Sequence, residues 1–185
     1  HLDATVDSLL ANSVFSDGAA AAVVSARAPA EGGQALRLDG FGSSVIPAKE
    51  SDMAWRIGDN GFTIALSAYV PDLIGANIQA LIAPILADKG LQMADIGMWA
   101  VHPGGKAILD KIERQLGLKP ESLMASRDVL RRYGNMSSAT ILFVLKELSR
   151  QCGGSTPEDD RICAMAFGPG LTVESAVLSR SGTVA

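Results

Sequence analysis

The sequence predicts an α/β layered fold with a mixed β-sheet flanked by helices, and three observations carry that prediction. Short apolar runs alternate with amphipathic helical stretches along the chain, the pattern of a layered α/β domain. The last two strand-like segments, "RICAMAFGPG" and "LTVESAVLSR", are joined by a tight Pro-Gly turn and read as an antiparallel hairpin. Of the 185 residues, 48% are hydrophobic and 19% charged, which is enough apolar content for one substantial core.

Taken in order, apolar spacing over 4–15 predicts a helix that stops at Ser16-Asp17-Gly18. "AAAAVVSA" (19–26) reads as a small, apolar, buried strand, and 26–34 as a loop. Residues 35–47 alternate well enough for a strand before loosening into Gly and Ser, and 61–71 reads as another strand with a Pro at its end. From Asp72 to Asp88 apolar residues at 73, 74, 78, 81, 82, 85 and 86 form a helical stripe, with Pro84 expected to kink or break it.

"DIGMWAV" (95–101) is a short apolar run with polar neighbours, the mark of a fully buried strand. In 103–117 Ile108, Leu109, Ile112 and Leu116 share one face, Pro103 suits a first helical turn and Gly117 is a stop signal. A shorter helical pattern occupies 119–135, and 137–151 opens on two serines suited to an N-cap before a mostly apolar helix. "STPEDD" (155–160) reads as an exposed turn.

Charge and cysteine usage narrow the function. A net charge of −4 argues against a nucleic-acid binder, which carries a basic patch or stripe. No apolar run in the sequence reads as a membrane span, since the long helical patterns are amphipathic or interrupted. Two cysteines, Cys152 and Cys163, make neither a disulfide framework nor a metal site, and a reducing cytoplasm is the expected compartment. The chain opens without Met, basic region or cleavage pattern, as a piece of a longer polypeptide would.

Three features point to chemistry. His102 follows a buried strand, at the kind of strand end where open α/β sheets place ligands, and Gly104 and Gly105 leave room for a bulky group beside the backbone. Asn135, in "YGNMSSA", sits at a turn entering a helix with its amide free to point away. "AFGPGLTVE" brackets a proline with glycines between two strands. Each also has a plain structural reading: a satisfied strand-end histidine, a helix cap and an ordinary hairpin turn.

Together and in this order, "WAVHPGGKAILDKIERQLGLKPESLMASRDVLRRYGNMSSATILFVLKEL" and "AFGPGLTVE" resemble the C-terminal half of the type III polyketide synthases, the chalcone synthase-like group. "DSLLANSVFSDGAAAAVV" is similar to the stretch that opens this half in that family. The resemblance implies a thiolase-like fold built of two similar α/β halves in a homodimer, with residues 1–185 as the C-terminal one. It implies that His102 and Asn135 are the catalytic histidine and asparagine, and that the nucleophilic cysteine belongs to an N-terminal half not contained in this chain. Neither Cys152, in a polar stretch, nor Cys163, in a strand pattern, reads as that nucleophile.

The substrates implied are malonyl-coenzyme A and an acyl-coenzyme A starter, with no separate cofactor and no metal. Gly104, Gly105 and Ala107 resemble the segment beside the pantetheine arm of coenzyme A, and Ser137 borders the pocket. Lys106 stands where many relatives have Pro, and a contact with a phosphate is a further expectation. Phe167, Gly168 and Pro169 are expected at the pocket wall. "AWRIGDNGFTIA" (54–65) corresponds to a cavity-lining strand, with Trp55, Phe62 and Ile64 as lining residues; Trp55 reads equally as a surface or interface residue. Two other functions stay open: a single-condensation ketoacyl synthase of the KAS III type, and a non-catalytic domain that dimerises or binds coenzyme A.

Overall fold

Alternating side chains decide how the two faces of the sheet are covered. On β5 (Arg161–Gly168), Cys163, Met165 and Phe167 point to one face, while Ile162 and Ala164 point to the other. On β4 (Met98–Val101), Trp99 and Val101 share the first face and Ala100 the second. β6 (Thr172–Ser181) likewise gives Val173 and Val177 to one side and Leu178 to the other. This two-residue period is the strand signature that the apolar runs carried.

The computed structural model describes residues 6–29, 33–49, 52–58, 61–150 and 160–181. A four-stranded sheet has the order β1-β6-β5-β4, where β1 is Ala35–Val45. β4 and β5 run parallel, whereas β5–β6 and β6–β1 are antiparallel, so the expected mixed sheet and terminal hairpin are both present. β2 (Met53–Gly58) and β3 (Gly61–Leu66) form a separate antiparallel ribbon. The strand expected over 61–71 thus ends at Leu66, and the helix that follows starts earlier than Asp72.

On the first face lie α2 (Val70–Asp88) and α3 (Lys106–Leu116). Ile74, Ile78 and Ile82 of α2 are almost completely buried against Trp99, Met165 and Val177, each burial worth about 1.5–3 kcal/mol. Gly75 lets the two helices approach, since a Cβ there would lie 2.3 Å from Lys111 Cγ. Pro84 does not break α2; the helix runs through it to Asp88. Contrary to the expectation from sequence, α2 is long and apolar enough to cross a membrane by length and composition. Its isoleucine stripe is instead buried in the protein core.

The second face is covered by α4 (Met124–Tyr133) and α5 (Ala139–Arg150), packed on Ala100, Ile162, Ala164 and Leu178. Small alanines there let Val129, Val144 and Leu148 sit close to the sheet. α3 ends as its sequence signalled, with Gly117 left-handed at φ 63°. Pro103 is not part of it, because the helix starts at Lys106 after an extended Gly105.

α1 (Val6–Val14) fulfils the first helix expected. The strand expected over 19–26 does not form: those residues have no regular structure and stand exposed, Val23 at 97%. An apolar run becomes a strand only where a neighbouring strand offers its hydrogen-bonding edge, and none of the described strands pairs with it. Phe41 and Val45 of β1 are also bare, 70% and 65% exposed, opposite Ala176 and Thr172 in the register. The turn expected at 155–160 and Cys152 lie outside the described residues, apart from Asp160.

Candidate active site

The parallel pairing of β4 with β5 extends one residue past the strand, where the His102 N–H donates to the Met165 carbonyl at 2.8 Å. β4 is an edge strand, and its outward-facing Val101 N–H donates to the fully buried Ser126 Oγ at 3.2 Å. His102 is therefore carried on a strand end fixed from both sides. The chain then turns tightly, the Gly104 N–H donating back to the His102 carbonyl at 3.0 Å. A Cβ on Gly104 would lie 2.9 Å from Ile108 Cδ1 and in ordinary contact with the ring, 3.9 Å from His102 Nε2, so a side chain there would crowd Ile108.

His102 is only 8% exposed, and among the described residues neither ring nitrogen has a hydrogen-bond partner. Burial lowers its pKa from 6.5 to about 4, because the interior penalises the imidazolium. At neutral pH the ring is uncharged, with one N–H donor and one acceptor nitrogen.

Asn135 is placed by contacts from a distant part of the chain. α4 ends at Tyr133, and Gly134 adopts φ 72°, ψ −163°. A Cβ at Gly134 would sit 2.8 Å from Ser16 Oγ and 3.0 Å from the Val14 carbonyl oxygen. The Asn135 N–H donates to the Val14 carbonyl at 2.8 Å, and the Ser16 N–H donates to the Asn135 carbonyl at 2.9 Å. The side chain is oriented too: Oδ1 accepts from the Ser137 N–H at 2.9 Å, and Nδ2 makes a long 3.4 Å contact with the Gly104 carbonyl. Asn135 is thus a turn residue through its oxygen and a hydrogen-bond donor through its nitrogen.

Both side chains line a cavity of ≈ 300 Å³. Its wall is largely apolar, with Met53, Leu66, Val70, Ile108, Ile141 and Phe167 among the contributors. A carbonyl entering it would meet donors against a largely apolar wall, which strengthens each hydrogen bond relative to open water.

The description "chalcone and stilbene synthases, C-terminal domain" matches residues 40–181. The chain belongs to this family. In three dimensions it is similar to the crystal structure of a fungal type III polyketide synthase, ORAS, with 34% sequence identity and a TM-score of 0.70. That match covers 79% of this chain and 41% of the other, so the chain spans less than half the length of that protein. The thiolase-like layered fold, with its mixed sheet flanked by helices, is the one expected from the resemblance.

Of the residues that the chalcone synthase-like resemblance singled out, the cavity wall includes His102, Gly104, Asn135, Ser137, Trp55, Phe167, Gly168 and Pro169. Trp55 is on the cavity wall and is 55% exposed. Gly105 and Ala107 are not on the wall: a Cβ on Gly105 would meet nothing within 4 Å, and Ala107 lies exposed in the first turn of α3. Lys106 Nζ pairs with Asp110 at 2.7 Å, a carboxylate that Arg127 also grips at 2.7 Å. Arg127 reaches Glu113 as well, at 2.9 Å, tying α4 to α3 beside the site. The ammonium of Lys106 and the guanidinium of Arg127 hold the Asp110 carboxyl below the usual carboxylate range. The side chains of Phe62 and Ile64 lie outside those described, although β3 pairs Ile64 with Trp55.

Phe15 and Glu174 are also on the wall, and neither was singled out from the sequence. Phe15 follows α1 and arrives through its bridge to Asn135, a pairing with no local pattern. Glu174 alternates onto the cavity side of β6 and accepts a hydrogen bond from Ser43 Oγ at 2.7 Å. Its position in "GLTVE" two residues after Thr172, also on the wall, was the available signal.

Proposed function

We propose that this chain is the C-terminal half of a decarboxylating acyltransferase of the type III polyketide synthase kind. The observation that carries the reading is one largely apolar cavity that joins a neutral imidazole, without a hydrogen-bond partner among the described residues, to an asparagine amide whose oxygen is already engaged. In this reading His102 and Asn135 donate to the thioester carbonyl oxygen of malonyl-coenzyme A. The bond to carbon dioxide breaks, its electrons pass into an enolate, and the new oxyanion lies between the two donors. Removal of one such donor costs about 2.7–4 kcal/mol of transition-state stabilisation. The enolate carbon then attacks the acyl group on a cysteine, and the thiolate leaves.

That cysteine belongs to an N-terminal half. Cys163 does not suit the role, since it is fully buried on the α2 side of β5 and burial pushes its thiol up to about 12. The exposed Phe41 and Val45, on one face of β1, and the exposed Val23 are apolar side chains that a partner half would cover in this reading. The enzyme works as a cytoplasmic homodimer on coenzyme A thioesters, with no separate cofactor and no nucleic-acid or membrane partner. In this reading the coenzyme arm passes Gly104, where a side chain would run into Ile108.

The test is malonyl-coenzyme A decarboxylation by this chain co-produced with an N-terminal half. His102→Gln and Asn135→Ala should each lower the rate by about 10²-fold or more. Decarboxylation that survives loss of both would refute the mechanism. Products carrying several malonyl-derived units support the polyketide function; a single condensation would instead establish a KAS III-like enzyme.

A further inference from the structure

We infer that Thr140 is a positioning residue for Asn135, acting through the left-handed backbone of Ser137. The inference rests on the function proposed above and concerns what decides which end of the asparagine amide faces the cavity. An Asn amide turned by half a rotation exchanges its donor for an acceptor of nearly equal size. Here the Ser137 N–H occupies Oδ1, so the reversed amide would set Nδ2 against another donor. The donor end is thereby directed toward Gly104 and the cavity.

The turn that places the Ser137 N–H on Asn135 Oδ1 passes through Ser137 at φ 57°. Among the described residues it is the only non-glycine with positive φ, a conformation that side chains disfavour and that surrounding contacts have to maintain. Those contacts come from Thr140. Its backbone N–H donates to the Ser137 carbonyl at 3.1 Å, and its hydroxyl donates to the same oxygen at 2.8 Å. The backbone bond alone would start α5; the hydroxyl adds a second restraint on the peptide that leaves Ser137, on the other side of its left-handed Cα from the N–H that meets Asn135. Thr140 is fully buried, and Ser137 is the partner of its hydroxyl.

The experiment compares Thr140→Val, Thr140→Ser and Asn135→Ala in this chain co-produced with its N-terminal half, by malonyl-coenzyme A decarboxylation. Thr140→Val keeps the shape and removes the hydroxyl. Its kcat should fall about tenfold, within the range that small misplacements of a catalytic group produce, with KM changed less than about twofold. Thr140→Ser should restore kcat to within about twofold. If Thr140→Val folds poorly, Thr140→Ala carries the same expectation. An unchanged kcat in Thr140→Val beside a depressed Asn135→Ala would overturn the positioning role alone. Loss of activity that Thr140→Ser does not rescue, or a matching change in KM, would reduce Thr140 to a structural residue. An unimpaired Asn135→Ala would overturn the functional reading itself.

Discussion

Acidification should destabilise this protein through His102, because the folded state keeps the ring neutral where the unfolded chain charges it. The ordinary histidine value is 6.5 and the folded value about 4. Between those limits the unfolded state binds one more proton, so unfolding becomes easier as pH falls. Above 6.5 the two states are equally neutral and the histidine contributes nothing; below 4 both are charged and the loss is complete. At about 1.4 kcal/mol per pH unit, the interval corresponds to about 3 kcal/mol. The assay is urea unfolding from about pH 7 to about pH 4, comparing the protein with His102→Gln. Carboxylates and the other histidine titrate in both proteins, so their contributions cancel in the difference. The protein should lose about 3 kcal/mol more than the variant. Equal losses in the two would refute the argument that burial holds this ring uncharged.

Three further outcomes follow from the same geometry. Gly134→Ala should destabilise by about 1–3 kcal/mol in thermal unfolding, since φ 72°, ψ −163° and Ser16 Oγ at 2.8 Å both oppose a side chain. Ser126→Ala leaves the buried Val101 N–H without its acceptor and should cost about 1–3 kcal/mol in urea unfolding. In a Cys152→Ser background Cys163 should resist a thiol reagent at neutral pH until the protein unfolds, because its thiol is buried and pushed up to about 12.

Features encoded over a few neighbouring residues were legible in advance. β4 and its histidine, the stop of α3 at Gly117 and the β5–β6 hairpin each arise from a local pattern of apolar spacing or turn chemistry. Asn135 and His102 were legible as motifs, and the cavity brings them together. Features that depend on what lies across space were not. "AAAAVVSA" has the composition of a buried strand, but none of the described strands pairs with it. Pro84 looked like a break, yet α2 continues through it, held by a stripe of buried isoleucines on the core. Pro103 has the residue type of a first helical turn, but the tight turn at Gly104 intervenes. Phe15 could not have been assigned to the site from its neighbours, because only the fold joins it to Asn135.

That bridge between Phe15 and Asn135 has a consequence for how the site could be transplanted. The asparagine's main chain is gripped on both sides by residues from the beginning of the sequence, and its side chain by the turn that follows it. A peptide carrying "YGNMSSA", or a helical scaffold with those residues grafted on, would reproduce the letters and the turn but not the grip. Orientation of the amide is thus a property held jointly by segments more than a hundred residues apart, with the Ser16 hydroxyl donating to the Tyr133 carbonyl across 117 positions. Any redesign that shortens or replaces the first helix would reach the asparagine without touching it.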